Sequence, residues 1–150
     1  MIRYQSGNAL DLDAVIALYA ASTLGVRRPL DDRARMADML KHANLVITAW
    51  DDSQLVGIAR SLTDFVYATY LSDLVVRDSH QKKGIGKELV RQTQLAAPLS
   101  RIILLSAPLA TDYYPHIGFD KHTSAWTLEP GADASQPVPS RSQSGHAGFS

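Results

Sequence analysis

At 150 residues the chain has the length of a single domain, enough to bury a core without disulfide or metal staples. Fifteen basic residues balance fifteen acidic ones, which argues against the global positive field that drives non-specific nucleic-acid binding. Cysteine is absent, and with it disulfides, thiolate metal sites and a cysteine nucleophile.

The first residues, MIRYQSGNALDLDAV, lack the basic-then-apolar layout of a signal peptide. No apolar run nears the roughly 20 residues that span a bilayer, so a cytoplasmic protein with no membrane partner is expected. Residues 1–5 read as a short strand with Ile2 and Tyr4 on one face. From Asp11, a fitting N-cap, Leu12, Val15, Ile16 and Tyr19 recur at helical spacing. Residues 24–30 hold Gly25 and Pro29 and read as a loop. A second helix is expected from Asp31 to about His42, with Met36, Met39 and Leu40 as its apolar stripe. LVITAW (45–50) and QLVGIARSL (54–62) flank the turn Asp51-Asp52-Ser53 as a hairpin. YATYLSDLVVR (67–77) is a further strand. A helix follows from about Gly84 to Ala97, stopped by Pro98. RIILLSA (101–107) has the continuous apolar character of a strand buried on both faces. A short helix over 110–116 and a last strand over 124–128 complete the pattern. The order describes an α+β, or mixed α/β, layout around one central sheet. From Pro130 the chain is rich in Ser, Pro, Gly and Ala, and a disordered tail is expected over 130–150.

The stretch QKKGIGKELV (81–90) carries the chemistry. Gly84 and Gly86 permit backbone conformations that other residues avoid, and the helix that follows presents unpaired N–H groups at the positive end of its dipole. A strand, a glycine turn and a helix start of this kind suit phosphate. The local charge agrees: Arg77, Lys82, Lys83, Lys87 and Arg91 stand against Asp78 and Glu88. Gln81 where its first glycine belongs and Glu88 in place of Ser or Thr argue against a P-loop. A dinucleotide fingerprint is excluded by Leu89 in place of its third glycine.

The spacing Gln81-x-x-Gly84-x-Gly86 after a strand ending in Leu74-Val75-Val76 resembles the acetyl-CoA pyrophosphate loop of the GNAT N-acetyltransferases. YYPHIGF (113–119) resembles that family's C-terminal signature, and the likeness covers residues 1–129, an N-acetyltransferase domain ahead of the tail. The resemblance implies a central mixed sheet of about six to seven strands, splayed at the acetyl-CoA site and flanked by about four helices. More narrowly, GIARSLTDFVYATYLSDLVV resembles the plant-type serotonin (arylalkylamine) N-acetyltransferases.

Carried over by resemblance, the backbone of Leu74, Val75 and Val76 pairs with the pantetheine arm. Gln81 opens the loop, and the N–H groups of Lys82, Lys83, Gly84, Ile85, Gly86 and Lys87 cradle the pyrophosphate. Lys82 replaces a glycine that many relatives carry. Tyr114 matches the general acid, a phenol suited to protonating a departing thiolate, while Tyr113 is assigned to packing. Asp73 is the candidate base, against a solvated carboxylate on the outer face or a water chain with no single base. Asp64 either binds the amine or structures its loop. Tyr67 and Tyr70 either form an aromatic wall for an aryl amine or pack across strands. Arg27 and Arg28 read as a solvated loop pair or as contacts for an acidic substrate. Many relatives place Asn seven residues before the tyrosine, where this chain has Ala107 followed by Pro108. His80 and His116 read as surface residues. None of the five histidines forms a metal-ligand pattern, so no metal is expected.

The implied activity is acetyl transfer from acetyl-CoA to a small-molecule primary amine, with no nucleic-acid partner. The resemblance allows a homodimer. Two other functions stay open, a protein lysine or N-terminal acetyltransferase and a non-catalytic acyl-CoA sensor.

Overall fold

Alternating apolar residues build a five-stranded sheet in the order β1-β2-β3-β4-β5. Its members are β1 (Ile2–Ser6), β2 (Leu45–Asp51), β3 (Gln54–Thr63), β4 (Ala68–Val76) and β5 (Arg101–Ile103). The first four pair antiparallel in sequence order, and β5 lies parallel to β4, which makes the sheet mixed. A computed structural model describes residues 1–137, so most of the expected tail, 138–150, lies outside the described residues. Among the described residues, those up to Leu105 form one unit and those from Ser106 a second.

The helices start where side chains satisfy their free N–H groups. In α1 (Leu12–Ala20) Asp11 accepts the Ala14 N–H at 3.2 Å. In α2 (Arg33–His42) Asp32 accepts the Arg35 N–H at 3.0 Å, one residue later than the expected start. Asn8 closes the far end of α2 by donating its amide to the carbonyls of Leu40, Lys41 and Ala43. The third helix, α3 (Ile85–Ala96), follows the glycine turn. Among the described residues no helix is long and apolar enough to cross a membrane.

Neighbouring residues of β3 assign the helices to opposite faces, because successive side chains of a strand alternate. Ile58 packs with Val15, Leu18 and Tyr19 of α1 and Met36 and Leu40 of α2. Gly57 faces α3 instead: a Cβ there would lie 3.0 Å from Leu89 Cδ1 and 3.2 Å from Ile85 Cγ2. The missing side chain lets the first turns of α3 sit directly on the sheet, and that seating fixes where the glycine turn ends. Gly57→Val is expected to overpack this contact by about 1–3 kcal/mol. Thermal denaturation should show a melting temperature lower by about 3–10 °C.

The sheet is smaller than expected, with five strands and three α-helices among the described residues. The segment 101–107 is not a long strand buried on both faces. Only Arg101–Ile103 joins the ladder, with Arg101 and Ile103 exposed. It has a described partner on one side alone, and an apolar run without a second neighbour stays open. The strand expected over 124–128 is absent. Its Trp126 is 91% exposed, and no strand pairs with it among the described residues. The helix expected over 110–116 is two 3-10 turns, Pro108–Ala110 and Tyr114–Ile117. An α-helix through 116 would need an N–H from Pro115 to close onto Thr111, and proline has none. The loop expected over 24–30 carries a 3-10 helix, Thr23–Arg27.

Candidate functional site

The β3–β4 ladder skips Ser72: Arg60 faces Asp73, and Ser61 faces Leu71. This is a bulge, one extra residue that bends the strand. Arg60 and Ser61 are neighbours and point to opposite faces, so their partners do as well. The bulge therefore puts Asp73 and Val75 on the α1/α2 face and leaves Leu71 on the face of α3. Close by, β4 loses its other neighbour. The parallel ladder with β5 runs only from Ala68↔Arg101 to Tyr70↔Ile103. Beyond Tyr70 that edge of β4, which includes Leu74, Val75 and Val76, has no ladder partner among the described residues.

The chain then enters the glycine turn, which is tied down on three sides. Arg77 donates its N–H to Val56 O at 2.8 Å, and Asp78 donates to Ala21 O at 2.9 Å, at the end of α1. His80 Nε2 lies 2.8 Å from Asp51 Oδ2 on the β2–β3 hairpin. That bond is the main cause of an Asp51 carboxyl held below its ordinary range. His80 is therefore a half-buried clamp and not the surface residue expected. Gln81 turns back, its amide donating to Val76 O at 3.3 Å and to Asp78 Oδ1 at 3.2 Å. Lys82 and Gly84 then adopt φ of +61° and +81°. Only glycine takes the left-handed region without strain, so Lys82 holds a conformation that costs about 1–2 kcal/mol.

From Lys82 to Lys87, six consecutive N–H groups donate no hydrogen bond among the described residues, and the first bond of α3 runs from Glu88 N to Gly84 O at 3.1 Å. Lys82, Lys83 and Lys87 are exposed around this run, whereas the Ile85 side chain is buried on the sheet. Ile85 and Gly86 can thus offer a ligand only their backbone. Uncommitted N–H groups, a helix start and three lysines make a site for a phosphate-bearing ligand.

Asp73 lies at the centre of a buried polar cluster. Its Oδ1 accepts from Arg28 Nε at 2.8 Å and lies 2.7 Å from Arg28 Nη2. Its Oδ2 accepts from Tyr19 Oη at 2.6 Å and Arg60 Nε at 2.5 Å. The Asp73 side chain is 0% exposed, and those of Arg28 and Arg60 are 10% and 9% exposed. Neither the solvated carboxylate nor the solvated Arg28 expected from the sequence is observed. Burial alone pushes the Asp73 carboxyl up, but Arg60 first, then Arg28 and Tyr19, outweigh it and hold it below the usual carboxylate range. Burial, with Asp73 next to it, raises the Tyr19 phenol well above 10, so Tyr19 stays a neutral donor. The part played by Arg60 and Tyr19 was missed in the sequence. One signal was available: Arg60 shares a strand face with Ile58, and a charge on an inward face requires a buried partner.

Asp64 shapes the β3–β4 turn, its Oδ1 accepting the N–H groups of Val66, Tyr67 and Ala68 at 2.8–3.1 Å. Those bonds, Tyr67 first, hold its carboxyl below the ordinary value. Tyr67 precedes β4 and is 79% exposed, while Tyr70 stands in register between Leu62 and Ile103, all three partly exposed. In the second unit, Tyr114 makes edge-on ring contacts with Tyr113, at 5.4 Å between centroids, and Phe119, at 5.6 Å. Gly118, at φ +96°, closes this turn. Burial, followed by the neighbouring Tyr113, raises the Tyr114 phenol above 10, so it carries its proton at neutral pH. His116 is exposed. Among the described residues no group of three or more potential metal ligands stands together.

A family model described as "Acetyltransferase (GNAT) domain" matches residues 22–131. An uncharacterized N-acetyltransferase, ycf52, of Porphyra purpurea is 31% identical over 104 residues, covering 64% of this chain and 58% of that protein. The chain thus spans less than two thirds of that relative's length. A GNAT-family acetyltransferase of Streptococcus pneumoniae has a solved structure similar to this one, with a TM-score of 0.67 at 23% identity, over 87% of this chain and all of that one. An aminoglycoside N-acetyltransferase solved in complex with CoA gives a TM-score of 0.69 at 17% identity, over 88% of this chain and 96% of that one. At these identities the likeness establishes the fold, a mixed sheet with flanking helices of the kind the two signatures implied.

Proposed function

The chain belongs to the GNAT acetyltransferase family, and from that premise we propose that it moves the acetyl group of acetyl-CoA to the primary amine of a small molecule. One observation carries most of this reading: β4 parts from β5 just ahead of a loop with six uncommitted N–H groups. In it, the N–H groups of 82–87 hold the pyrophosphate, and Lys82, Lys83 and Lys87 add charge. Gln81 acts on the loop and not on the ligand, through its bonds to Val76 and Asp78. The open edge at Leu74, Val75 and Val76 pairs with the pantetheine amides and offers a backbone N–H to the developing oxyanion.

When bound, acetyl-CoA supplies an activated thioester. The amine nitrogen bonds to the acetyl carbon as the carbon–sulfur bond breaks. In the role its signature implies, Tyr114 gives its phenolic proton to the departing sulfur and regains one from solvent, and the proton of the amine leaves to water. At neutral pH about one alkylamine in a thousand is already the free base, on the lysine pKa scale. In this reading Asp73 is not the base, because its oxygens are engaged by Arg28, Arg60 and Tyr19. Solvent takes that role. An arylalkylamine suits the acceptor side best: Leu62, Tyr70 and Ile103 form an apolar row across three strands, ending where β4 and β5 part. The ionised Asp64 is proposed for the ammonium group, and Tyr67 for a ring contact. A cytoplasmic setting accompanies this reading, since a cysteine-free chain gains nothing from an oxidising compartment.

The test is thiol release from acetyl-CoA across tryptamine, serotonin, spermidine, amino acids and a lysine peptide, and the cysteine-free protein adds no background. Release with the arylalkylamines supports the proposal. Release with the peptide alone favours a protein acetyltransferase, and tight acetyl-CoA binding without transfer favours a sensor. Lys82→Gly separates main-chain from side-chain recognition. It relieves about 1 kcal/mol of strain and returns a similar amount of unfolded-state entropy, so its melting temperature is expected within about 2 °C of wild type. Acetyl-CoA affinity by calorimetry is expected to fall no more than about tenfold, the scale of one exposed charge contact.

A further inference from the structure

Two guanidinium groups share one buried carboxylate, and only one is needed to balance it. The charged members of the cluster are Arg28, Arg60 and Asp73, with Tyr19 a neutral donor. Arg60 alone neutralises Asp73, and it belongs to the sheet, bonding from β3 to Asp73 Oδ2 and to Ser72 Oγ. Arg28 adds a surplus positive charge at 10% exposure, a placement that burial disfavours unless it secures something else.

What it secures is the connection between α1 and α2. Arg28 sits at the end of the 3-10 helix Thr23–Arg27. Its Nη2 donates to Ser72 O at 3.1 Å, the carbonyl of the bulged residue, while its Nε donates to Asp73. Its Nη1 donates to Arg27 O at 2.8 Å, which fixes the turn of the connection itself. The middle of the same 3-10 helix is packed hard on α1, where a Cβ on Gly25 would lie 2.6 Å from Tyr19 O. A planar, forked group thus joins the loop to Ser72, at which β4 bends, and to Asp73, which directly precedes Leu74 on the open edge.

We propose that Arg28 is a positioning residue, a latch that holds the α1–α2 connection against the β4 bulge on the sheet face that also carries Leu62 and Tyr70, and so fixes the acceptor side of the site relative to the cofactor strand. The consequence for acceptors rests on the acetyltransferase reading, whereas the latch itself does not. A lysine keeps the charge but cannot present the fork to Ser72 and Asp73 together. Removing Arg28 leaves Asp73 paired with Arg60 and Tyr19, so the fold is expected to survive the change.

The experiment compares wild type, Arg28→Lys and Arg28→Ala by amide hydrogen exchange without substrates, and by steady-state kinetics on the arylalkylamine panel. Both variants should exchange about tenfold faster over residues 22–30 and not over the β3–β4 ladder. The acceptor KM should rise about tenfold, with a smaller change in kcat. Acetyl-CoA affinity should be unchanged, since the N–H groups of 82–87 are untouched. Unaltered exchange over 22–30 overturns the latch, as does faster exchange spread evenly over the whole sheet. Faster local exchange with an unchanged acceptor KM overturns the positioning role. If the wild-type protein acetylates no amine on the panel, the acetyltransferase reading fails, and the exchange data still decide whether Arg28 holds the loop.

Discussion

Replacing Tyr114 by Phe is expected to lower kcat about 100-fold, at the lower end of what a general acid contributes, and to leave acetyl-CoA affinity unchanged. The substitution removes one oxygen and keeps the ring, so the edge-on contacts with Tyr113 and Phe119 persist. Stability should change little, which makes the kinetic loss interpretable. An alkyl thiolate is a poor leaving group unless it is protonated as it departs, and a phenol of similar acidity is matched to that transfer. Burial raises the Tyr114 phenol above its ordinary value, so the acid form persists through the physiological range. Loss of activity on its ionisation therefore lies on the alkaline side, above pH 10. Stopped-flow thiol release at pH 7.5 checks the main effect. A rate within threefold of wild type would assign Tyr114 to ring packing and the sulfur's proton to water.

Local signals were legible where a single residue decides the structure. Asp11 starts α1 because its carboxylate caps the helix, and Asp51 to Ser53 turn a hairpin between two apolar runs. The spacing of Gln81, Gly84 and Gly86 located the loop because left-handed φ at Gly84 follows from the residue type. The bulge at Ser72 was not legible. In simple alternation Leu71, Asp73 and Val75 share one face, and only the pairing register shows that Leu71 lies opposite the other two. That one-residue insertion keeps Asp73 in register with Arg60 while Leu71 turns to the other face, and Arg28 and Tyr19 then close around the carboxylate. Arg28 was missed for a related reason: it stands 45 residues from its partner, and nothing in the intervening sequence brings the two together. The short β5 and the absent strand over 124–128 have another cause. An apolar pattern states which face a strand would bury, but not whether a neighbour is present to pair with it.

Asp73→Asn is the change expected to cost the fold most, about 3–5 kcal/mol, because it leaves Arg28 and Arg60 buried without a counter-charge. Against a total stability of order 5–15 kcal/mol this is a large share, and the melting temperature is expected to drop by about 10 °C or more. The dependence on acid follows from the same pairing. The carboxyl of Asp73 is held below 3.8 in the folded protein, so folding favours its ionised form. That contribution is fully present above the unfolded value and is lost as pH falls from about 4 through the folded value. Wild-type stability should therefore decline in this window more steeply than that of Asp73→Asn, which has no carboxyl to protonate, and urea unfolding at pH 7, 4 and 3 checks the difference. The kinetics separate structure from chemistry. If Asp73 only supports the bulge, the acidic limb of kcat/KM persists in the variant, since that limb belongs to the acceptor amine and solvent. Disappearance of the limb at a temperature where the variant is fully folded would instead make Asp73 the base, and would mean that its ties to Arg28 and Arg60 loosen during turnover.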